Sequence, residues 1–309
     1  MRFRAQIALS LISLAACVLA VGFSAASFSD TEQNPQTISA IADWTAPNAE
    51  ASLIAPTSGG TPGYLKSKGT YYVYAKVADS GSPASGIATV KADVSSLTSG
   101  QTAVSLVAGS YPVGGVTYNF RSAQLTAGTL TTGSKGYSLA LADKAGNSAS
   151  ESFSVMALAL FSGAAFDTGN VSGGNDGLPE KGDTATFTYS GPPQASSIVS
   201  GWSGSAPTTV SVTITQSSNN DRLEVAGAAL GSVELKGNYV SKTVSFTGST
   251  LVLSGNSIVL TLGTPGSSSS LEDDNNSRAP VWKPSSSAKD LAENACSTTS
   301  VTASSSRQF

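Results

Sequence analysis

The sequence predicts an all-β protein, built as two β-sandwich domains behind an apolar N-terminal segment. Three observations carry this. Apolar residues alternate with polar ones in run after run, which is the period of a half-buried strand. Clusters of Gly, Ser and Pro break those runs at the spacing of sandwich strands. No stretch of useful length holds a helical period; only Ser287 to Ala292 offers one turn. The 309 residues hold 40% apolar side chains, enough for a packed core, and length suggests about two domains.

Met1 to Ala26 reads as a signal peptide. Arg2 and Arg4 give the positive start, Ala5 to Phe23 is an apolar run, and Ser24-Ala25-Ala26 supplies small residues for cleavage after Ala26. Cleavage there leaves 283 residues and moves the net charge from -3 to -5. Two other readings stay open. The run is long enough to span a bilayer uncut, and Leu14-Ala15-Ala16-Cys17 has the form of a lipoprotein box, although the apolar run continues past Cys17.

Residues 27–43 form an extended lead-in. Their first part, Ser27-Phe28-Ser29-Asp30-Thr31-Glu32 after Ala26, resembles the signal region of camelysin and of bacterial biofilm-fibre proteins, which a dedicated signal peptidase processes. That resemblance covers about the first 35 residues. It implies export to the cell surface or matrix and carries no fold with it.

The first domain is placed at 44–157. After Trp44-Thr45-Ala46-Pro47, Tyr71, Val73, Ala75 and Val77 share one face and Tyr72, Tyr74 and Lys76 the other. Val90, Ala92 and Val94 follow, then Val116, Tyr118 and Phe120 on one face, then Tyr137, Leu139 and Leu141, then Phe153 and Val155. Ser58-Gly59-Gly60 and Ser80-Gly81-Ser82-Pro83 punctuate the runs.

The second domain is placed at 158–305. Ala185, Phe187 and Tyr189 face inward against Thr184, Thr186 and Thr188; Val210, Val212 and Ile214 follow, then Val244 and Phe246. Leu251 and Leu253 meet Ile258, Leu260 and Leu262 across Ser254-Gly255-Asn256-Ser257, a hairpin. A low-complexity loop at 264–280 is expected to be mobile because it has little apolar surface to bury. Residues from Ser297 to Ala303 can form a last strand.

An internal echo links the two halves. Asp143-Lys144-Ala145-Gly146-Asn147 and Asp290-Leu291-Ala292-Glu293-Asn294 both precede a Ser/Thr-rich final segment. Asp and Asn bond their own backbone in turns, and Gly accepts positive φ. A strand, then Asp-x-Ala-Gly-Asn, then a last strand resembles the end of bacterial immunoglobulin-like domains, and Trp44-Thr45-Ala46-Pro47 resembles their start. The resemblance implies immunoglobulin-like sandwiches. The second copy is looser, with Glu293 in place of Gly. Its Gly182-Asp183-Thr184 and Gly201-Trp202-Ser203-Gly204 resemble segments of actinobacterial surface proteins.

The composition excludes much chemistry. With no His, Ser-His-Asp, Cys-His and His-zinc sites are ruled out. A net charge of -3 rules out a strongly electrostatic nucleic-acid binder. Gly173-Gly174-Asn175-Asp176-Gly177 resembles a single unit of a calcium-binding repeat whose ions need stacked neighbours. It reads as a surface turn, with Asp167, Asn170, Asn175 and Asp176 as the candidate calcium ligands. Glu272-Asp273-Asp274 reads as a solvated acidic run. Asp79, Asp93, Asp143, Asp183 and Asp221 are the acids placed for order, and nothing in the sequence brings two together. Cys296, the one cysteine left after cleavage, is expected to be a buried free thiol, the alternative being an intermolecular disulfide. Sortase anchoring is rejected, since Leu178-Pro179-Glu180-Lys181-Gly182 lacks the Thr and lies mid-chain.

These readings point to a non-catalytic exported surface or matrix protein, structural or adhesive, with no catalytic residue, cofactor site or metal ligand assigned beyond the calcium candidates. Its expected partners are other surface proteins or copies of itself, reached through sheet edges and loops. The alternatives are a carbohydrate-binding module with Trp44, Trp202, Trp282, Tyr71, Tyr72 and Tyr74 as a stacking platform, and a secreted hydrolase with a carboxylate pair.

Overall fold

The computed structural model describes residues 43–274, 278–304 and 309. The signal segment, Cys17 and the cleavage position at Ala26 lie outside them. Residues 42–309 form one compact unit, and within it the strands build two separate sheet systems.

The first comprises β1 (Asn48–Pro56), β2 (Tyr64–Lys66), β3 (Thr70–Ala78), β4 (Ile87–Asp93), β5 (Val104–Val113), β6 (Val116–Ser122), β7 (Leu125–Thr126), β8 (Gly133–Asp143) and β9 (Ser148–Leu158). Their order is β1-β3-β6-β5-β4-β8-β9-β2, with β7 on β3. This is the immunoglobulin arrangement: four strands on one layer, then three facing them, with a short early strand added parallel to the last. β1 returns close to β9 and β2, so the sandwich nearly closes into a barrel.

The second comprises β10 (Phe161–Gly169), β11 (Thr184–Tyr189), β12 (Thr208–Thr215), β13 (Arg222–Ala226), β14 (Ser232–Glu234), β15 (Val244–Ser254), β16 (Ser257–Thr261), β17 (Thr264–Pro265), β18 (Val281–Lys283), β19 (Cys296–Ser297) and β20 (Val301–Thr302), plus the single turn of helix α1 (Ala195–Ile198). The run β10-β11-β16-β15 repeats β1-β3-β6-β5, and β13 and β14 are extra strands inserted before β18. β20 closes back towards β10.

Alternation fills each core. In β3, Tyr71, Val73 and Ala75 are wholly buried, and Tyr72 faces outward. Leu139 and Leu141 of β8 and Val90 and Ala92 of β4 meet them from the facing layer. In the second barrel Trp282 is the centre: its rings meet Phe166, Phe187 and Tyr189, and its indole N–H donates to the Leu230 carbonyl at 2.7 Å. The expected hairpin forms with Leu253 opposite Ile258 and Leu251 opposite Leu260.

Four local expectations are corrected. Tyr118 does not share the inner face with Phe120. The Asn119 side chain bonds both the N–H and the carbonyl of Val77 in place of a ladder pair, which releases the strand to turn Tyr118 outward onto Tyr74. Ser287 to Ala292 forms turns and isolated bridges, not a helical turn, because Lys289 pairs with Ala295 and Asp290 with Pro193. The low-complexity segment is packed rather than loose over its described part: Ser270 is buried and Leu271 bridges to Val240. The acidic run within it is not wholly solvated, since Asp274 is buried and its carboxylate accepts the Asn238 N–H. No helix among the described residues is long and apolar enough to cross a membrane.

Candidate functional site

The two Asp-x-x-x-Asn motifs make the same turn and do the same work. Asp143 accepts the Asn147 backbone N–H at 2.8 Å and its side-chain N–H at 2.7 Å. Asp290 accepts the equivalent pair from Asn294 at 2.9 and 2.8 Å. The Asn amide then reaches across to the chain that leads into its own barrel: Asn147 to the Asp43 carbonyl at 3.1 Å, Asn294 to the Leu158 carbonyl at 2.9 Å. Glu293 stands where the first copy has Gly146, and both adopt left-handed backbone, φ 68° and 96°.

What surrounds the turns differs. At the first barrel Asp43, Asp79 and Asp143, the first and last of them buried, bring their carboxylate oxygens within 4.8 Å of one another. Loop N–H groups hold them there. Asp43 accepts Thr45 and Ser85, which keep its carboxyl below the usual carboxylate range. Asp79 accepts Gly81 and Gly86. Glycine is required at 81, because a Cβ there would fall 2.1 Å from Asp43 Oδ1. Such oxygens suit a hard cation such as calcium, yet every one of the six already takes a hydrogen bond from the protein. A general acid needs a raised pKa, and Asp43 has the opposite.

At the second barrel the pole is covered by the first. The Thr61 N–H donates to the Leu291 carbonyl at 2.7 Å. Glu293 packs its side chain on Gly59, where a Cβ would lie 3.1 Å from Glu293 Cγ. Its carboxylate is bonded by Lys289, which mainly lowers its pKa, and by the Gly60 N–H. Asp290 has no counterpart of Asp43 or Asp79 beside it; it is buried, and burial raises its pKa against the Asn294 bonds.

The loop that makes this joint has a twin. Ser58-Gly59-Gly60-Thr61-Pro62-Gly63 and Ser172-Gly173-Gly174-Asn175-Asp176-Gly177 share Ser-Gly-Gly-x-x-Gly. In the twin, the Asn175 N–H donates to Glu180 of its own barrel at 2.7 Å, where Thr61 reaches the next one.

The predicted site residues scatter. Asp167, Asn170, Asn175 and Asp176 are exposed; Asp167 accepts the Thr168 N–H, and Asn175 pairs with Glu180. Asp93 caps Ser95, Asp183 accepts the Val171 and Glu180 N–H groups, and Asp221 accepts three backbone N–H groups in the second barrel. Asp79 and Asp143 do meet, through Asp43, a residue just ahead of Trp44 that the sequence reading left unmarked. The aromatic platform is dispersed: Tyr71, Trp202 and Trp282 are buried, and Trp44 is 84% exposed by itself. Tyr72 and Tyr74 instead join Tyr111 and Tyr118 on the outer face of the first barrel. Cys296 is buried and unpaired among the described residues.

No protein-family model matches the sequence, and no curated protein matches it. A solved chain described as "Structures of Clostridium thermocellum CbhA fibronectin(III)-like modules" aligns over 82% of this chain and 93% of its own, at 9% identity and a TM-score of 0.26. The fold assignment rests on strand order and not on that likeness.

Proposed function

We propose that the protein is a non-catalytic exported surface or matrix component, a structural and adhesive spacer of two immunoglobulin-like barrels. The observation that carries this is the joint. Loop Ser58–Thr61 and turn Asp290–Asn294 dock through backbone and side-chain bonds, so the barrels act as one stiff body rather than as beads on a linker. Export is supported by the apolar segment and small residues ahead of Ser27. Partners meet faces and loops, since the end strands of each sheet fold back on their own barrel. Fractionation of producing cells, with N-terminal sequencing and intact mass of the recovered protein, tests it. Mature protein beginning at Ser27 in the medium or on the surface is the expected result; full-length protein in the cytoplasm overturns the reading.

A further inference from the structure

Arg121 stands on β6 opposite Tyr74 of β3 and Val107 of β5, on the outer face of the first barrel. Its Cζ lies 4.5 Å from the Tyr72 ring centroid and 4.5 Å from that of Tyr111. The guanidinium thus lies over two tyrosine rings, a favourable cation–π arrangement that also removes part of its water. Its N–H donors project from the edge of that plane. The Arg121 side chain forms no hydrogen bond or ion pair among the described residues. Glu50, on the neighbouring strand β1, is engaged by Lys76 at 2.7 Å. A fixed, ring-clamped guanidinium with unspent donors matches a carboxylate in planar, two-point fashion.

The same face disfavours a peptide. β3 lies between β1 and β6, and its remaining N–H groups at Val73 and Val77 are taken by Ser122 and Asn119. β3 therefore leaves no row of backbone groups free at the centre of this face for an added strand. Around Arg121 recognition comes from rings and the guanidinium, which suits a sugar that carries an acid. We propose that Tyr72, Arg121 and Tyr111 form a binding site for an acidic, uronate-bearing polysaccharide, with Arg121 taking the carboxylate and the tyrosine edges lining the sugar. This names the partner for the surface-module reading and rests on it only for biological setting.

Affinity electrophoresis of the purified full chain in gels containing polygalacturonate, against neutral dextran, tests the site. Retardation by polygalacturonate alone, weakening as salt rises, is expected. R121Q should lose about tenfold or more in affinity, the scale of losing a charged hydrogen-bonding partner. R121K should lie between, keeping the charge without the fork, and carries the test if R121Q proves unfolded by circular dichroism. No retardation, equal retardation by dextran, wild-type behaviour of R121Q, or R121Q abolishing self-association instead would each overturn the proposal. Because the purified chain is used, failure here leaves the export reading standing, and cytoplasmic localisation would sink that reading without altering the binding result.

Discussion

The side-chain amide of Asn294 donates to the backbone carbonyl of Leu158, 136 positions earlier in the chain, as Asn147 does to Asp43. One residue thus closes its own turn and holds the chain that leads into its barrel. Asn294→Ala should cost about 1–3 kcal/mol, because a carbonyl and a buried carboxylate both lose a donor. Urea unfolding measures it, and N147A should behave alike in the first barrel.

Glu293 ties the barrels together. A carboxyl whose pKa is lowered in the fold from 4.5 contributes stability that is present above that unfolded value and lost as pH falls through the folded one. The wild-type advantage over E293Q should be flat near neutrality and shrink below about pH 5. Urea unfolding from pH 7 to 3 checks this. X-ray scattering of Glu293→Gly should show a more flexible particle, while the turn itself tolerates Gly, as its copy at 146 does.

Tyr189 and Tyr239 bury hydroxyls with no hydrogen-bond partner among the described residues. Removing an unsatisfied hydroxyl recovers its desolvation cost. Tyr189→Phe and Tyr239→Phe should therefore each be neutral or raise stability by about 1 kcal/mol, read as a higher melting temperature. A loss above that size would reveal a partner to the hydroxyl.

Burial pushes the Cys296 thiol up to about 11. Thiolate is the reactive form, so at pH 8 this cysteine should resist thiol reagents in the folded chain and react once denatured. Cut after Ala26, the protein should run as a monomer on a nonreducing gel.

Much of the fold was legible. Tyr71 to Val77, Val90 to Val94, Tyr137 to Leu141 and the Leu251–Leu262 hairpin all point as their alternation says, because one side of each faces a core. β1 and β5 were not, and both carry register shifts, at Ala49/Ala51 and at Ala108/Tyr111, that break the period. From Val107 to Val113 β5 buries no residue, so no burial pattern marks it. The acid cluster was hidden for another reason: Asp43, Asp79 and Asp143 lie far apart in sequence, and only closure of the barrel brings a lead-in, a loop and a turn to one pole. The shared Asp-x-x-x-Asn was visible, but its target, a main-chain carbonyl, leaves no trace in residue type.

The parallel pairing of β2 with β9, Tyr64 to Lys66 against Met156 to Leu158, has a mechanical consequence. The chain reaches the first barrel at Asp43 on one pole and leaves at Leu158 on the other. Tension between these points passes first through β1, held along β3 from Asn48 to Pro56, and then drags β2 and β9 along their length in opposite directions, so that their hydrogen bonds are loaded together in shear. Such a barrel resists best when it is pulled between its two chain ends.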